Sequence, residues 1–86
     1  MEISVELTLT PLQDDFEPAI IDFIKQLRKS NLTVIENPLS TQLYGDYDTV
    51  MQVLQKEMKV ALQAIEKGLL YVKIVKSDRS DYEPHF

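Results

Sequence analysis

Two kinds of hydrophobic periodicity alternate along this chain, and their order leaves few folds open. Near the N-terminus, apolar side chains stand at every second position, from Ile3 through Val5 and Leu7 to Leu9. This period is typical of a β-strand with one apolar and one polar face. Pro11 predicts the end of the strand, because proline cannot donate to a strand ladder. The chain therefore begins with a strand that needs a covering layer on one face only.

The next segment changes to the spacing of an amphipathic helix. Asp14 and Asp15 are predicted to cap its N-terminus, and Pro18 fits the first turn. Asn31 predicts a left-handed residue that stops the helix. The apolar stripe of this helix consists of Phe16, Ile20, Phe23, Ile24 and Leu27.

The remaining chain continues the alternation of strand and helix. We predict a second strand over residues 32–36 and a third over 39–44. Helical spacing then returns over residues 49–67, and Gly68 is predicted to close that helix. A fourth strand follows over residues 70–75, where apolar and other side chains alternate again.

The order strand, helix, strand, strand, helix, strand predicts an α+β fold, the ferredoxin-like βαββαβ arrangement. Its four-stranded antiparallel sheet would carry both helices on one face. We predict one domain over residues 1–77 and a polar C-terminal tail over 78–86. The uncovered face would be half apolar, which makes it a predicted subunit interface. Its predicted members are Ser4, Glu6, Thr8, Ile35, Gln42, Tyr44, Tyr71, Lys73 and Val75.

Composition excludes several classes of function. The net charge of −5 and a pI near 4.7 argue against nucleic acid, whose phosphates require a basic surface. The chain has no cysteine, so it can form neither a disulfide nor a thiolate metal site. No apolar run approaches the ~20 residues that span a bilayer, and no signal peptide opens the chain. We therefore expect a cytoplasmic protein without a metal ion, a cofactor or a membrane partner.

The segment 38–48 is the strongest candidate for a binding site. It is predicted to be a strand with two adjacent hydroxyls, Ser40 and Thr41. The chain would then reverse at Gly45 and enter a helix that Asp46 or Asp48 caps. Hydroxyls beside a turn and a helix N-terminus offer donors and acceptors to a small polar ligand. The alternative is a structural strand-to-helix turn with no ligand.

Candidate catalytic residues are few. His85 is the only histidine and stands one residue from the C-terminus, so no nucleophile and base pair can be assembled. Glu6 allows two hypotheses: it pairs with Lys73 on a neighbouring strand, or it accepts hydrogen bonds from an amino-heterocycle in a cleft between subunits. Tyr44 is a packing residue or a surface on which a flat ring could stack.

Two segments of the chain resemble the YkoF-like thiamine-binding family and its short single-domain members. The segment Glu6–Phe16, reading ELTLTPLQDDF, is similar to the family's first strand, proline and acidic helix start. The segment Asn37–Gly45, reading NPLSTQLYG, is similar to its Ser-Thr strand with a closing glycine. The similarity extends in order and length over nearly the whole chain.

The resemblance implies a ferredoxin-like subunit that assembles into homodimers or homotetramers. It also implies binding of thiamine, or of its hydroxymethylpyrimidine half, without catalysis. Ser40 and Thr41 match the Ser-Thr motif, and Glu6 and Thr8 lie on the matching first strand. The chain departs from the short members at Tyr44, where they usually carry Glu before the glycine. The alternative from another class is a homo-oligomeric interaction or regulatory module with no small ligand.

Overall fold

The computed structural model describes all of residues 1–86 and forms the ferredoxin-like arrangement that the periodicity predicts. Four antiparallel strands make one sheet in the order β2-β3-β1-β4, and both helices cover the same face of it. The elements are β1 (Glu2–Pro11), α1 (Glu17–Arg28), β2 (Thr33–Glu36), β3 (Thr41–Asp46), α2 (Tyr47–Gln63) and β4 (Gly68–Val75).

The core forms between the helices and the inner face of the two central strands. The alternation in β1 is confirmed, because its apolar residues are buried while Glu2 and Glu6 are exposed. Burying each such side chain contributes about 1.5–3 kcal/mol relative to leaving it exposed. The buried hydrophobic residues are Ile3, Val5, Leu7, Leu9, Phe23, Leu27, Leu43, Val50, Leu54 and Ala61.

The predicted ends of α1 are wrong. The N-cap is Phe16, and no side chain caps the helix there. Asp14 and Asp15 precede the N-cap and are exposed, so their carboxylates stand too early in the chain to cap the first turn. Pro18 does lie in the first turn, as predicted. No non-glycine residue has a positive φ, so Asn31 is not a left-handed stop.

Gly45 lies inside β3 and makes no reversal, which corrects the predicted turn. It pairs with Ile3, and its φ is not positive. A Cβ atom there would stand 2.8 Å from Leu32 Cδ2, so a larger residue would force that side chain to shift. The strand continues to Asp46, whose side chain accepts from the Asp48 amide at 3.2 Å and caps α2, as predicted.

Gly68 opens β4 and does not close α2, because that helix already ends at Gln63. The reason is again a close approach. Gly68 pairs with Pro11, and a Cβ atom on it would stand 2.9 Å from the Thr10 carbonyl oxygen. β4 consequently starts two residues earlier than predicted, and it is the longest partner of β1.

The face of the sheet away from the helices carries no helix, as predicted, and only the C-terminal segment crosses it, at Ser4, which is 6% exposed. We call it the uncovered face. Strand pairing places Ser4, Glu6 and Thr8 on this face, each beside residues of β4. Large apolar side chains on it are partly exposed, with Ile35 at 39% and Tyr71 at 59%. Neither helix has the length and apolar content that crossing a membrane requires.

Candidate functional site

A gap in the sheet forms where the β1–β3 ladder ends. The ladder runs from the pair Glu2 and Asp46 to the pair Leu7 and Thr41, whereas β1 continues to Pro11 with β4 as its only partner. The far end of β1 therefore lacks a neighbouring strand on one side. The connection between β2 and β3 crosses this place.

Hydrogen bonds hold that connection in one conformation. The Asn37 side-chain oxygen accepts from the amides of Leu39 at 2.9 Å and Ser40 at 3.0 Å. The Asn37 amide donates to the Ser40 carbonyl at 3.1 Å, which closes the turn. The Thr8 hydroxyl donates to the Leu39 carbonyl at 3.4 Å and attaches the loop to β1. Asn37 thus organises a loop of the kind that Asx turns make.

A cavity of approximately 170 Å³ lies beneath this loop. The wall formed by β1 and α1 is mostly apolar, and the polar groups come from Thr8 and the loop. An apolar slot with a few polar groups on one side is the usual form of a small-ligand site. The lining residues are Leu7, Thr8, Leu9, Ile20, Phe23, Ile24, Asn37, Pro38, Leu39, Ser40 and Thr41.

The Thr41 hydroxyl has no partner in the protein. Thr41 faces the helices with its strand partner Leu7 and is 6% exposed. No side-chain hydrogen bond of the chain involves this hydroxyl. Every fully buried polar side-chain atom does have a partner. The hydroxyl must therefore be open to the cavity that Thr41 lines. A buried hydroxyl without a partner costs free energy unless a ligand or water satisfies it.

Ser40 lies on the other side of the gap and belongs to a hydrogen-bonded chain. Its hydroxyl donates to Glu6 Oε2 at 3.0 Å and accepts from the Gln42 amide at 2.6 Å. Glu6 stands opposite Lys73 in the sheet, but the two form no ion pair. The predicted pairing of Glu6 with Lys73 is therefore wrong, because the carboxylate bonds to Ser40 instead. The other hypothesis, that Glu6 accepts from an amino-heterocycle, stays a prediction.

Tyr44 lies outside this cavity, in a second depression on the uncovered face. That depression measures approximately 180 Å³ and is also lined by Glu6, Gln42, Lys73 and Arg79. The C-terminal segment forms its end, because the Ser4 hydroxyl donates to the Ser77 carbonyl at 2.7 Å. Of the five predicted site residues, Thr8, Ser40 and Thr41 meet in the cavity, Glu6 joins them through Ser40, and Tyr44 does not.

The groups with shifted pKa values lie away from this cavity. Arg28 and Glu36 form a bidentate pair at 2.6 Å, which raises the pKa of the guanidinium and lowers that of the carboxyl. The N-terminal ammonium lowers the pKa of Asp46, and hydrogen bonds from Ser80 lower that of Asp78. Glu36 directly precedes Asn37, so the first pair lies at the start of the loop over the cavity.

Sequence reasoning missed the part played by Phe23 and Asn37. Helical spacing predicts Phe23 only as a core residue. It also lines the cavity, because the gap beside β1 leaves space next to it. Asn37 precedes a proline, a pair that signals a turn, and its side chain organises the loop. No group of histidine or carboxylate side chains is arranged to hold a metal ion.

Comparison with known proteins agrees with this fold. Among solved structures, SP2199 from Streptococcus pneumoniae has 28% sequence identity and a TM-score of 0.83, covering 91% of this chain and 89% of its own. TM0486 from Thermotoga maritima, a candidate thiamine biosynthesis/salvage protein, has 15% identity and a TM-score of 0.80, with coverage of 90% and 85%. The DUF77 domain of unknown function from Bacillus cereus has 15% identity and a TM-score of 0.75, with coverage of 96% and 83%.

The last two similarities show the fold alone. A search among curated proteins found no match. The sequence profile of the thiamine-binding protein family, however, matches residues 5–86, which include every residue of the cavity. The chain therefore belongs to the thiamine-binding protein family.

Proposed function

We propose that this protein binds thiamine, or its hydroxymethylpyrimidine half, as a cytoplasmic homo-oligomer that catalyses no reaction. Membership of the family supports the ligand class. The observation that carries the proposal is the Thr41 hydroxyl, which is buried, unpaired within the chain and open to an apolar cavity.

The size of the cavity favours one ring of the ligand. Sites for whole drug-sized ligands measure about 300–1,000 Å³, whereas this cavity measures approximately 170 Å³. We infer that the pyrimidine enters and that the thiazolium ring remains outside. Phe23 and its aliphatic neighbours provide an apolar wall for the flat ring.

The polar side of the cavity suits an aminopyrimidine. Such a ring has nitrogen acceptors and an exocyclic amino donor, and the Thr41 hydroxyl can serve either kind of group. Glu6 uses only Oε2 for Ser40, so Oε1 is free to accept from an amino group that reaches the gap. The acidic protein, with a net charge of −5, would also favour the thiazolium cation.

Binding without catalysis is supported by the inventory of reactive groups. The chain has no cysteine, and its one histidine, His85, is exposed beside the C-terminus with its ring against Phe86. Homo-oligomerisation is supported by the apolar side chains that the uncovered face of the sheet exposes. An interaction module without a small ligand would use the same face, and the following experiment separates the two functions.

Thermal unfolding with and without ligand tests the proposal. Thiamine at ~100 times its Kd should stabilise the native state by about 2.7 kcal/mol. That corresponds to several degrees in Tm for a domain of this size. Thr41→Val should weaken binding by about 1–2 kcal/mol, since a ligand group would lose its partner. Thr33→Val, an exposed threonine in β2, is the matched control and should bind like the wild type.

Two results would contradict the proposal. If thiamine, its phosphates and hydroxymethylpyrimidine all leave Tm unchanged at millimolar concentration, the protein has no such site. The interaction module then becomes the better account of the chain. If Thr41→Val and Thr33→Val bind equally well, the ligand lies elsewhere.

A further inference from the structure

The helical face of the protein contains a groove that the proposed function does not use. It runs between α1 and α2, measures approximately 540 Å³ and shares only Phe23 with the thiamine cavity. Three alanines, Ala19, Ala61 and Ala64, keep it open because their side chains are short. Its volume falls within the range of small-molecule sites, about 300–1,000 Å³.

Glu57 lies in this groove and has no partner. The residue is 7% exposed, yet it forms neither an ion pair nor a side-chain hydrogen bond. Every fully buried polar side-chain atom in the protein has a partner, so the Glu57 carboxyl group, which has none, reaches the surface. Glu57 lines the groove and also the neighbouring depression that contains Lys29 and Lys56, and it forms an ion pair with neither lysine. Its carboxylate is therefore free to pair with a cation.

The position of Glu57 in the sequence is equally unusual. It stands three residues after Leu54 and four before Ala61, both of which are buried, so it occupies the apolar stripe of α2. An amphipathic helix normally carries an apolar side chain at such a position. Departures of this kind from the local pattern are typical of functional residues.

We propose that the groove between α1 and α2 binds a small organic cation, a primary ammonium on a short apolar chain, with Glu57 as its counter-ion. Asp22 adds a second carboxyl group from the facing helix, and Gln26 adds an amide. Lys56 is the only basic residue in the lining and makes no ion pair with Glu57. The lining therefore carries a net negative charge, while the alanine and valine side chains accommodate the apolar chain.

The test is a titration followed by amide chemical shifts, with propylammonium chloride as the probe and 1-propanol as the neutral control. Propylammonium should give saturable shifts centred on Asp22, Glu57 and Ala61, and 1-propanol should not. Glu57→Gln should weaken the response by about tenfold or more, because a charged hydrogen bond is lost. Glu66→Gln, an exposed glutamate beyond the end of α2, should respond like the wild type.

A second variant distinguishes a ligand-binding role from a structural one. Glu57→Met keeps the side-chain volume but removes the unpaired carboxyl group, so it should raise Tm of the free protein and abolish the response to propylammonium. A lower Tm would mean that Glu57 serves the fold, and it would overturn the proposal. Equal responses to both probes, no saturation, or shifts centred on Thr41 would also overturn it. Thr41→Val should leave the propylammonium titration unchanged. The groove can therefore be tested independently of the proposed thiamine site.

Discussion

Ser40 and Thr41 are neighbours in the chain, but their hydroxyls serve opposite sides of the sheet. Thr41 faces inward beside Leu7, while Ser40 bonds to Glu6 on the uncovered face. Both can border one cavity only because the β1–β3 ladder ends at Thr41. The gap beside β1 thus allows two residues on opposite faces of the sheet to line one cavity.

The role of Glu6 can be tested by removing its charge. Glu6→Gln keeps an oxygen for Ser40 but weakens acceptance from a ligand amino group, so affinity for hydroxymethylpyrimidine should fall by about 1–2 kcal/mol. Titration calorimetry measures the change. Glu2→Gln is the matched control, since Glu2 is an exposed glutamate on the same strand and face. Unchanged affinity in Glu6→Gln would show that Glu6 only positions Ser40.

At the scale of elements, the ion pair between Arg28 and Glu36 connects the end of α1 to the end of β2. The Arg28 side chain is 56% exposed and that of Glu36 is 31% exposed, so salt should weaken their attraction. Glu36 directly precedes Asn37, whose side chain organises the loop over the cavity.

The pH dependence of stability should reflect this pair. The pKa of Glu36 is lowered from its ordinary 4.5 by the hydrogen bond from Arg28. A lowered pKa contributes stability that is complete above the ordinary value and is lost as the pH falls through the folded value. Arg28 stays protonated throughout, because its pKa is raised. Tm of Glu36→Gln should therefore fall less steeply than that of the wild type below pH 4.5.

The control for that measurement is Glu17→Gln, an exposed glutamate that forms no ion pair. Its Tm should follow the wild type over the same pH range. Indistinguishable acid profiles for the wild type and Glu36→Gln would contradict the account. Asp46 and Asp78, whose pKa values are also lowered, contribute in the same direction and remain in both variants.

The order of the elements could be predicted because each is amphipathic with a period of its own. Their boundaries could not, since Gly45 lies within a strand beside Leu32 and Gly68 is required by its close approach to the Thr10 backbone. Such contacts depend on the assembled sheet, whereas local sequence suggests a turn at any glycine. The hydroxyls of Thr8, Ser40 and Thr41 were named from the sequence, and the fold brings these residues to one cavity. Tyr44 lies with Glu6 in the other depression, an arrangement that depends on the strand register and that local sequence does not show.

At the scale of the molecule, we expect self-association through the sheet. Leu69 at 45% and Tyr71 at 59% are exposed on the uncovered face, and the edge strand β4 also leaves Ile74 at 49% exposed on the other face. Exposed apolar surface on an open edge favours pairing with another chain. Light scattering at micromolar concentration should therefore give a mass that is a multiple of 9.9 kDa.

A variant shows whether the sheet is the interface. Tyr71→Glu should lower the mass toward 9.9 kDa, because a charge would then be buried between subunits. Val60→Glu, at a position of α2 that is 50% exposed, should leave the assembly intact. A wild-type mass of 9.9 kDa would contradict both the interface and any site shared between subunits.

The tail is the part of the chain that we expect to be dispensable. We propose that the domain ends near residue 77, although the backbone amide of Arg79 still donates to the Ser4 hydroxyl at 2.9 Å. Deletion of residues 80–86 keeps that bond and should preserve the far-ultraviolet circular dichroism and the oligomer mass. Loss of either would mean that the tail docks onto a subunit.

The most direct test of the account is a crystal structure with hydroxymethylpyrimidine bound. We expect density for the ring beneath the 37–41 loop, against Phe23, with a ring nitrogen or the amino group within hydrogen-bond distance of Thr41 Oγ1. Density in the depression beside Tyr44, or in the groove beside Glu57, with the Thr41 cavity empty, would contradict it.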